Sequence, residues 1–434
     1  MLTRRVFLRG SAIVMAGMGV APGWLARAAA AGSKKRKTLV AVFMRGAADG
    51  LNIVVPFGDK RYRELRPTLA IAPPAPQANG NLNTVLAAGV VGAVGAVAVA
   101  NVFNGGTIDL DGTFGLNAAM QPLQAFWDKK QLAVVVATGS PDNSRSHFDA
   151  QDAMECGTPG KSSGDGWLNR ALPAPGDEAS SMRAIALGNQ VPHCLRGSNE
   201  VIAIGNLQQF SVGDQSAAAI MQSMYATTPD ASLGRTGKDA FEAMKVIRSI
   251  QDTPQAGPAI APGAGVPLIA QGGEFGRNLQ QLARLLKAEA GVEVAFADIN
   301  GWDHHGNENQ QLPNLLRQLS AGIAGFCQEM GDRMEDVVLV TMSEFGRTAA
   351  ENGNGGTDHG HGSFMMVVGG PVHGGKVYGK WPGLEKEQLF EGRDLAVTTD
   401  YREVLSELVR SHLGQQNLNT VFPGFQPSQR LGLL

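Results

Sequence analysis

Apolar, β-branched runs that stop abruptly at polar clusters recur along the chain. Residues 337–340 read as a buried central strand, and Ser343, Glu344 and Arg347 stand where that strand would emerge at its carboxyl end. Residues 38–44 predict a first strand that turns at 45–50, which places Asp49 just past its end. Residues 132–138 predict another, followed by a polar turn over 139–147 and a helix from Phe148 that Gly157 closes. Further strands are expected over 182–187, 291–299 and 364–368, and helices over 115–130, 274–290 and 310–330. Asp400 reads as the cap of a last helix running to Leu413, and the Pro/Gly-rich stretch 253–267 as a surface loop. Strands alternating with helices predict an α/β layered sheet, and open sheets of this kind place ligand sites at the carboxyl ends of their strands.

With 434 residues, 43% hydrophobic and 18% charged, the chain can bury a large core and is expected to be globular. A net charge of -2 argues against nucleic acid as a partner, because that needs a basic face. Its three cysteines, Cys156, Cys194 and Cys327, show no CxxC spacing, so no disulfide framework is indicated. Arg4-Arg5 followed by the apolar run 12–25 and a small-residue stretch, Ala28 to Ala31, looks like a twin-arginine signal peptide over 1–31. It predicts engagement of the twin-arginine export machinery and a periplasmic or secreted protein. The uncharged run 82–103 is long enough to raise a membrane span, but its residues are mostly small and it lacks basic or aromatic anchors. A low-complexity insertion over about 72–108 is expected instead, with no stable span in the mature protein.

Four segments set candidate ligands after strands: Asp49; Ser144, Ser146 and His147; Asp303, His304 and His305; and Glu344 with Asp358, His359 and His361. Five of the eight histidines lie in these segments. Mixed oxygen and imidazole donors suit divalent zinc, manganese, iron or magnesium, and two ions could hold the attacking and leaving oxygens of a displacement. Adjacent His304 and His305 cannot both face one ion. Ser144 or Ser146, at a helix start, could supply the attacking hydroxyl. Taken singly, each has a structural reading: a turn aspartate at Asp49, a cap at either serine, an ion pair between Glu344 and Arg347. The stretch 370–376 has a P-loop outline, but Val377 stands where Ser or Thr must reach magnesium.

MRGAADGLNIVVP, SRSHFDAQDAMECGTPG, GWDHHGN, SEFGRT, GTDHGHG and TTDYREVL, in this order, resemble a large family of exported bacterial proteins catalogued as a domain of unknown function, placed in the alkaline phosphatase and sulfatase superfamily. The resemblance spans about 38–434. It implies a three-layer α/β/α sandwich with a mostly parallel central sheet, one or two divalent metals, and a nucleophile at a helix start. Carried over, Asp49 resembles the first metal carboxylate, Ser146 or Ser144 the nucleophile, and Asp303 with His305 the ligands of one metal. Two alignments of the last segment remain open: Asp358-His359-Gly360 as the superfamily's Asp-His-Gly with His361 as last ligand, or Glu344 in the Asp position with His359 last. Phe345 stands where the second expects histidine, and no cysteine lies in the sulfatase modification pattern. The expected activity is metal-dependent hydrolysis of a phosphate or sulfate ester, with Arg347 or Arg145 neutralising the anionic substrate. The alternative is a secreted binding or assembly protein that retains the fold without turnover.

Overall fold

The computed structural model describes residues 36–75, 106–161, 163–174, 180–210, 214–252 and 266–434. The expected signal peptide, most of the expected insertion and most of the 253–267 loop lie outside them. Twelve strands are found among the described residues. They are β1 (Thr38–Arg45), β2 (Val54–Val55), β3 (Thr107–Asp109), β4 (Gly115–Asn117), β5 (Leu132–Gly139) and β6 (Ala184–Ala186). The others are β7 (Ile202–Ala203), β8 (Val294–Asn300), β9 (Val337–Met342), β10 (Ser363–Gly369), β11 (Lys376–Tyr378) and β12 (Thr399–Asp400). The principal helices are α1 (His147–Cys156), α2 (Gln215–Thr227), α3 (Ala231–Asp252), α4 (Gly273–Lys287), α5 (Glu308–Met330) and α6 (Tyr401–Leu408).

One mixed sheet carries nine of the strands in the order β11-β5-β10-β9-β1-β8-β6-β7, with β12 paired to β5. Its pairings are parallel except those of β10, which runs antiparallel to both β5 and β9. Strand alternation explains how it is covered. Val40, Val42 and Met44 of β1 face one hydrophobic cluster, to which α4 and α5 contribute Leu279, Leu282, Leu316 and Leu319. Leu39, Ala41 and Phe43 face the other, where Met154 of α1 and Val404, Leu405 and Leu408 of α6 pack. Both faces being buried accounts for the unbroken apolar runs of β1, β5 and β9.

Most sequence-predicted elements have their counterparts here, including the Asp400 cap, whose side chain accepts from the Arg402 N–H, and Gly157, which closes α1 at φ 70. The expected helix over 115–130 does not form. Gly115–Asn117 instead pairs as β4 with β2 and β3 in a separate three-stranded sheet, and Pro122 lies within the irregular turns that precede a short helix at Gln124–Asp128. Strand pairing overrides the helical spacing there, and proline removes a helix donor. Thr107 and Ile108, at the end of the expected insertion, belong to β3. After the P-loop-like stretch comes β11 and not a helix. No helix of the described residues is long and apolar enough to cross a membrane.

Candidate metal centre

Parallel strands deliver their carboxyl ends to one edge of the sheet. The segments after β1, β5, β8 and β9 therefore converge: 46–49, 140–147, 301–305 and 343–347. β10 runs the opposite way, so it is the segment before it, 358–361, that reaches the same edge. Gly46, at φ 117, permits a close approach; a Cβ there would meet the Asp303 nitrogen at 2.7 Å and that of Trp302 at 2.9 Å.

At this edge Asp303 is surrounded by three imidazoles. His305 Nε2 lies 3.0 Å and His359 Nε2 3.3 Å from Asp303 Oδ1, while His147 Nε2 lies 3.4 Å from Oδ2. Donor atoms of His147, Asp303 and His359 all fall within 4.8 Å of one another. Each Nδ1 faces an acceptor: His147 meets Glu344 at 2.8 Å, His305 meets Asp358 at 3.1 Å, and His359 meets the Arg145 carbonyl at 2.8 Å. A carbonyl or carboxylate oxygen takes the Nδ1 proton, so in a neutral ring the Nε2 lone pair is left facing Asp303. His305 Nε2 and His359 Nε2 are only 3.0 Å apart. Two lone pairs at that distance repel unless a proton or cation stands between them. The donor set thus fits a divalent ion, with His147, Asp303, His305 and His359 as its holders.

Electrostatics match. Burial pushes the His359 imidazole down, toward the neutral form a ligand requires. Partial burial works to raise Asp303, but Arg347, which donates to Oδ1, holds it below the usual carboxylate range. The hydrogen bond to Glu344 raises His147; with an ion on Nε2, the same bond makes the ring a stronger donor. Glu344 in turn is held low against its burial by His147 and Gln151. Asp303 and His305 are exposed and His147 and His359 half-buried, so the cluster opens to solvent, as a site that takes substrate must.

The remaining sequence-predicted residues sit around this core in different roles. Glu344 is buried, and its Oε1 accepts from His147, Gln151 and the Gly46 N–H, so it orients His147. Asp358 orients His305. His361 lies apart, buried and stacked on Phe390 at 4.3 Å. Asp49 is also apart: both its oxygens accept from Arg66, and both residues are buried. Below them Glu308 accepts from Asn52 and Thr357. Burial and the Asp49 charge push Glu308 well above the carboxylate range, while Arg66 keeps Asp49 low despite its burial. His304 is buried, and neither of its ring nitrogens is hydrogen-bonded to a residue of the cluster that His305 enters.

Ser146 is the N-cap residue of α1, yet its hydroxyl makes no capping bond. Ser144 is engaged, its hydroxyl accepting from the Ser146 N–H at 3.2 Å. Arg347 is buried, its guanidinium spent on Asp303 and on the carbonyls of Gly46, Ala47, Trp302 and Thr357. Arg145 is paired with Asp394 and Glu391. Arg347 has no exposed face, and Arg145, 29% exposed, is already held by two carboxylates. Sequence reasoning named His147 among the candidate ligands but left it out of the metal set that the family resemblance implies, and it missed Gln151, Arg66 and Glu308. Gln151 was the legible one, four residues after His147 on the same helical face.

Several solved structures share a slight likeness with this chain. One is a protein in the alkaline phosphatase superfamily from Vibrio parahaemolyticus, 9% identical, with a TM-score of 0.32 over 79% of this chain and 62% of that one. The chain therefore spans less than two thirds of that structure. Another is Ps i-CgsB in complex with k-i-k-neocarrahexaose, 11% identical, TM-score 0.34, covering 90% and 75%. A third is the phosphonate monoester hydrolase SpPMH from Silicibacter pomeroyi, 10% identical, TM-score 0.29, covering 72% and 73%. Likeness at this level does not carry a function across. No curated protein matches the sequence. Residues 36–417 match the family described as protein of unknown function (DUF1501), and the chain belongs to that family.

Proposed function

We propose that this protein is a metal-dependent hydrolase of phosphate or sulfate esters, built on a single ion. The observation that carries the reading is the convergence of three Nε2 atoms on Asp303, each ring fixed through its Nδ1. When bound, a zinc, manganese, iron or magnesium ion supplies Lewis acidity to an ester oxygen. Asp303, anchored by Arg347, and the three oriented imidazoles would hold that ion. Both carboxylates that would build a second metal position in the superfamily's manner are engaged elsewhere, Asp49 by Arg66 and Glu344 by His147, which supports one ion rather than two. Attack is assigned to the Ser146 hydroxyl, which makes no capping bond and precedes His147 in the chain. The amino terminus of α1 offers unpaired N–H groups to the charge that develops.

Elemental analysis and an ester screen test this together. About one equivalent of metal in the purified protein, lost in Asp303→Ala along with ester hydrolysis, is the expected result. Protein that takes up no metal, or hydrolysis that survives Asp303→Ala, would overturn it. The same reading has the protein exported by the twin-arginine route and folded as a three-layer sandwich. Amino-terminal sequencing of mature protein should begin near Gly32, and a start at Met1 would refute the export step.

A further inference from the structure

We infer that the substrate is a singly charged tetrahedral ester, a sulfate monoester or a phosphodiester, and not a doubly charged phosphate monoester. This rests on the reading of the site as an ester hydrolase and deepens it by charge. The metal cluster holds three carboxylates, on Asp303, Glu344 and Asp358, against one guanidinium, Arg347. Arg347 has no exposed face and gives its donors to Asp303 and backbone carbonyls. Next to it stand Arg145, whose carbonyl holds His359, and Arg393, which donates to the His359 carbonyl at 2.5 Å. These two are met by two further carboxylates. Asp394, fully buried, binds both guanidiniums, and Glu391 meets Arg145 Nη2 at 2.7 Å. A divalent ion would therefore bring the site to about neutrality, each guanidinium being matched by a carboxylate, and would leave no excess positive charge of the protein for a second substrate charge. One negative charge can be met by the ion and by the amino terminus of α1.

Glu391 is the adjustable element. Its backbone is left-handed, at φ 55, which is uncommon for a residue other than glycine, and its carboxylate is half exposed where that of Asp394 is fully buried. Removing its charge uncovers Arg145 at the rim without touching a residue assigned to metal or attack.

Three inert anions carrying the same phenyl group decide the matter by calorimetric titration of the metal-loaded protein at pH 8.5. Benzenesulfonate and methyl(phenyl)phosphinate, neither of which has an ester bond, carry one charge and phenylphosphonate carries two. At least one of the singly charged pair should bind at least about tenfold more tightly than phenylphosphonate. Whichever of them wins separates sulfur from phosphorus. In Glu391→Gln the margin over phenylphosphonate should shrink several-fold. Tightest binding of phenylphosphonate to the native protein, or an unchanged margin in Glu391→Gln, would overturn the inference. Because these probes are not hydrolysed, that result stands apart from the ester screen, whose failure would count against the hydrolase reading alone.

Discussion

Replacing Asp49 by Asn separates a structural anchor from a metal ligand. In the native protein Arg66 is fully buried; it donates through both terminal nitrogens to Asp49 and through Nε and Nη2 to the carbonyls of Ala349 and Thr348. The Asn side chain keeps the shape but leaves the guanidinium without its counter-charge. Coulomb attraction at about 4 Å and an effective dielectric of about 20 is worth about 4 kcal/mol, and removing one partner of a buried pair costs about 3–5 kcal/mol. Protonated Glu308 is the nearby group able to ionise in compensation, so Asp49→Asn should sit at the low end of that range and Asp49→Asn/Glu308→Gln at the high end. Denaturant unfolding in the presence of a chelator measures this free of any metal contribution, and elemental analysis of folded protein gives the metal content. The expected result is a large stability loss with metal content unchanged. Loss of metal with chelated stability intact would refute the argument and restore Asp49 to the ligand set.

Gly46→Ala should weaken metal binding by roughly 10–100-fold, as loss of a supporting contact does, because its Cβ would press on the Asp303 backbone; titration with a chromogenic chelator checks this, and an unchanged affinity would mean that the loop yields. Ser146→Ala should abolish ester turnover while retaining metal and Ser144→Ala should reduce it only modestly; steady-state kinetics giving the reverse order would make Ser144 the attacking group. Acid stability tests the buried His412, whose Nε2–H donates to the Thr38 carbonyl and whose folded pKa burial lowers to about 4. The unfolded chain takes up a proton below about pH 6.5 and the folded one does not, so up to about 3 kcal/mol of stability present above pH 6.5 is lost as the pH falls to 4. His412→Gln should flatten that part of the profile of unfolding free energy against pH, and an unaltered slope would rule His412 out as its source.

The sequence by itself determined the frame. Unbroken apolar runs such as 132–138 and 337–340 could be buried on both faces only as central strands, and polar residues directly after such runs had to collect at one edge. The family was legible for the same reason, since its motifs are those strand-end turns. Position along a strand fixes which end a residue reaches but not which way its side chain turns. Asp49, Glu344 and Asp303 are equivalent on that criterion. Only tertiary structure separated them, through Arg66, which arrives from the end of the short helix Lys60–Leu65, and through His147, whose ring meets Glu344. His304 and His305 were divided likewise, one turned into the protein and one toward Asp303. Pairings between residues 17 to nearly 200 positions apart leave no local periodicity to read, so those partners emerge only when the chain has folded.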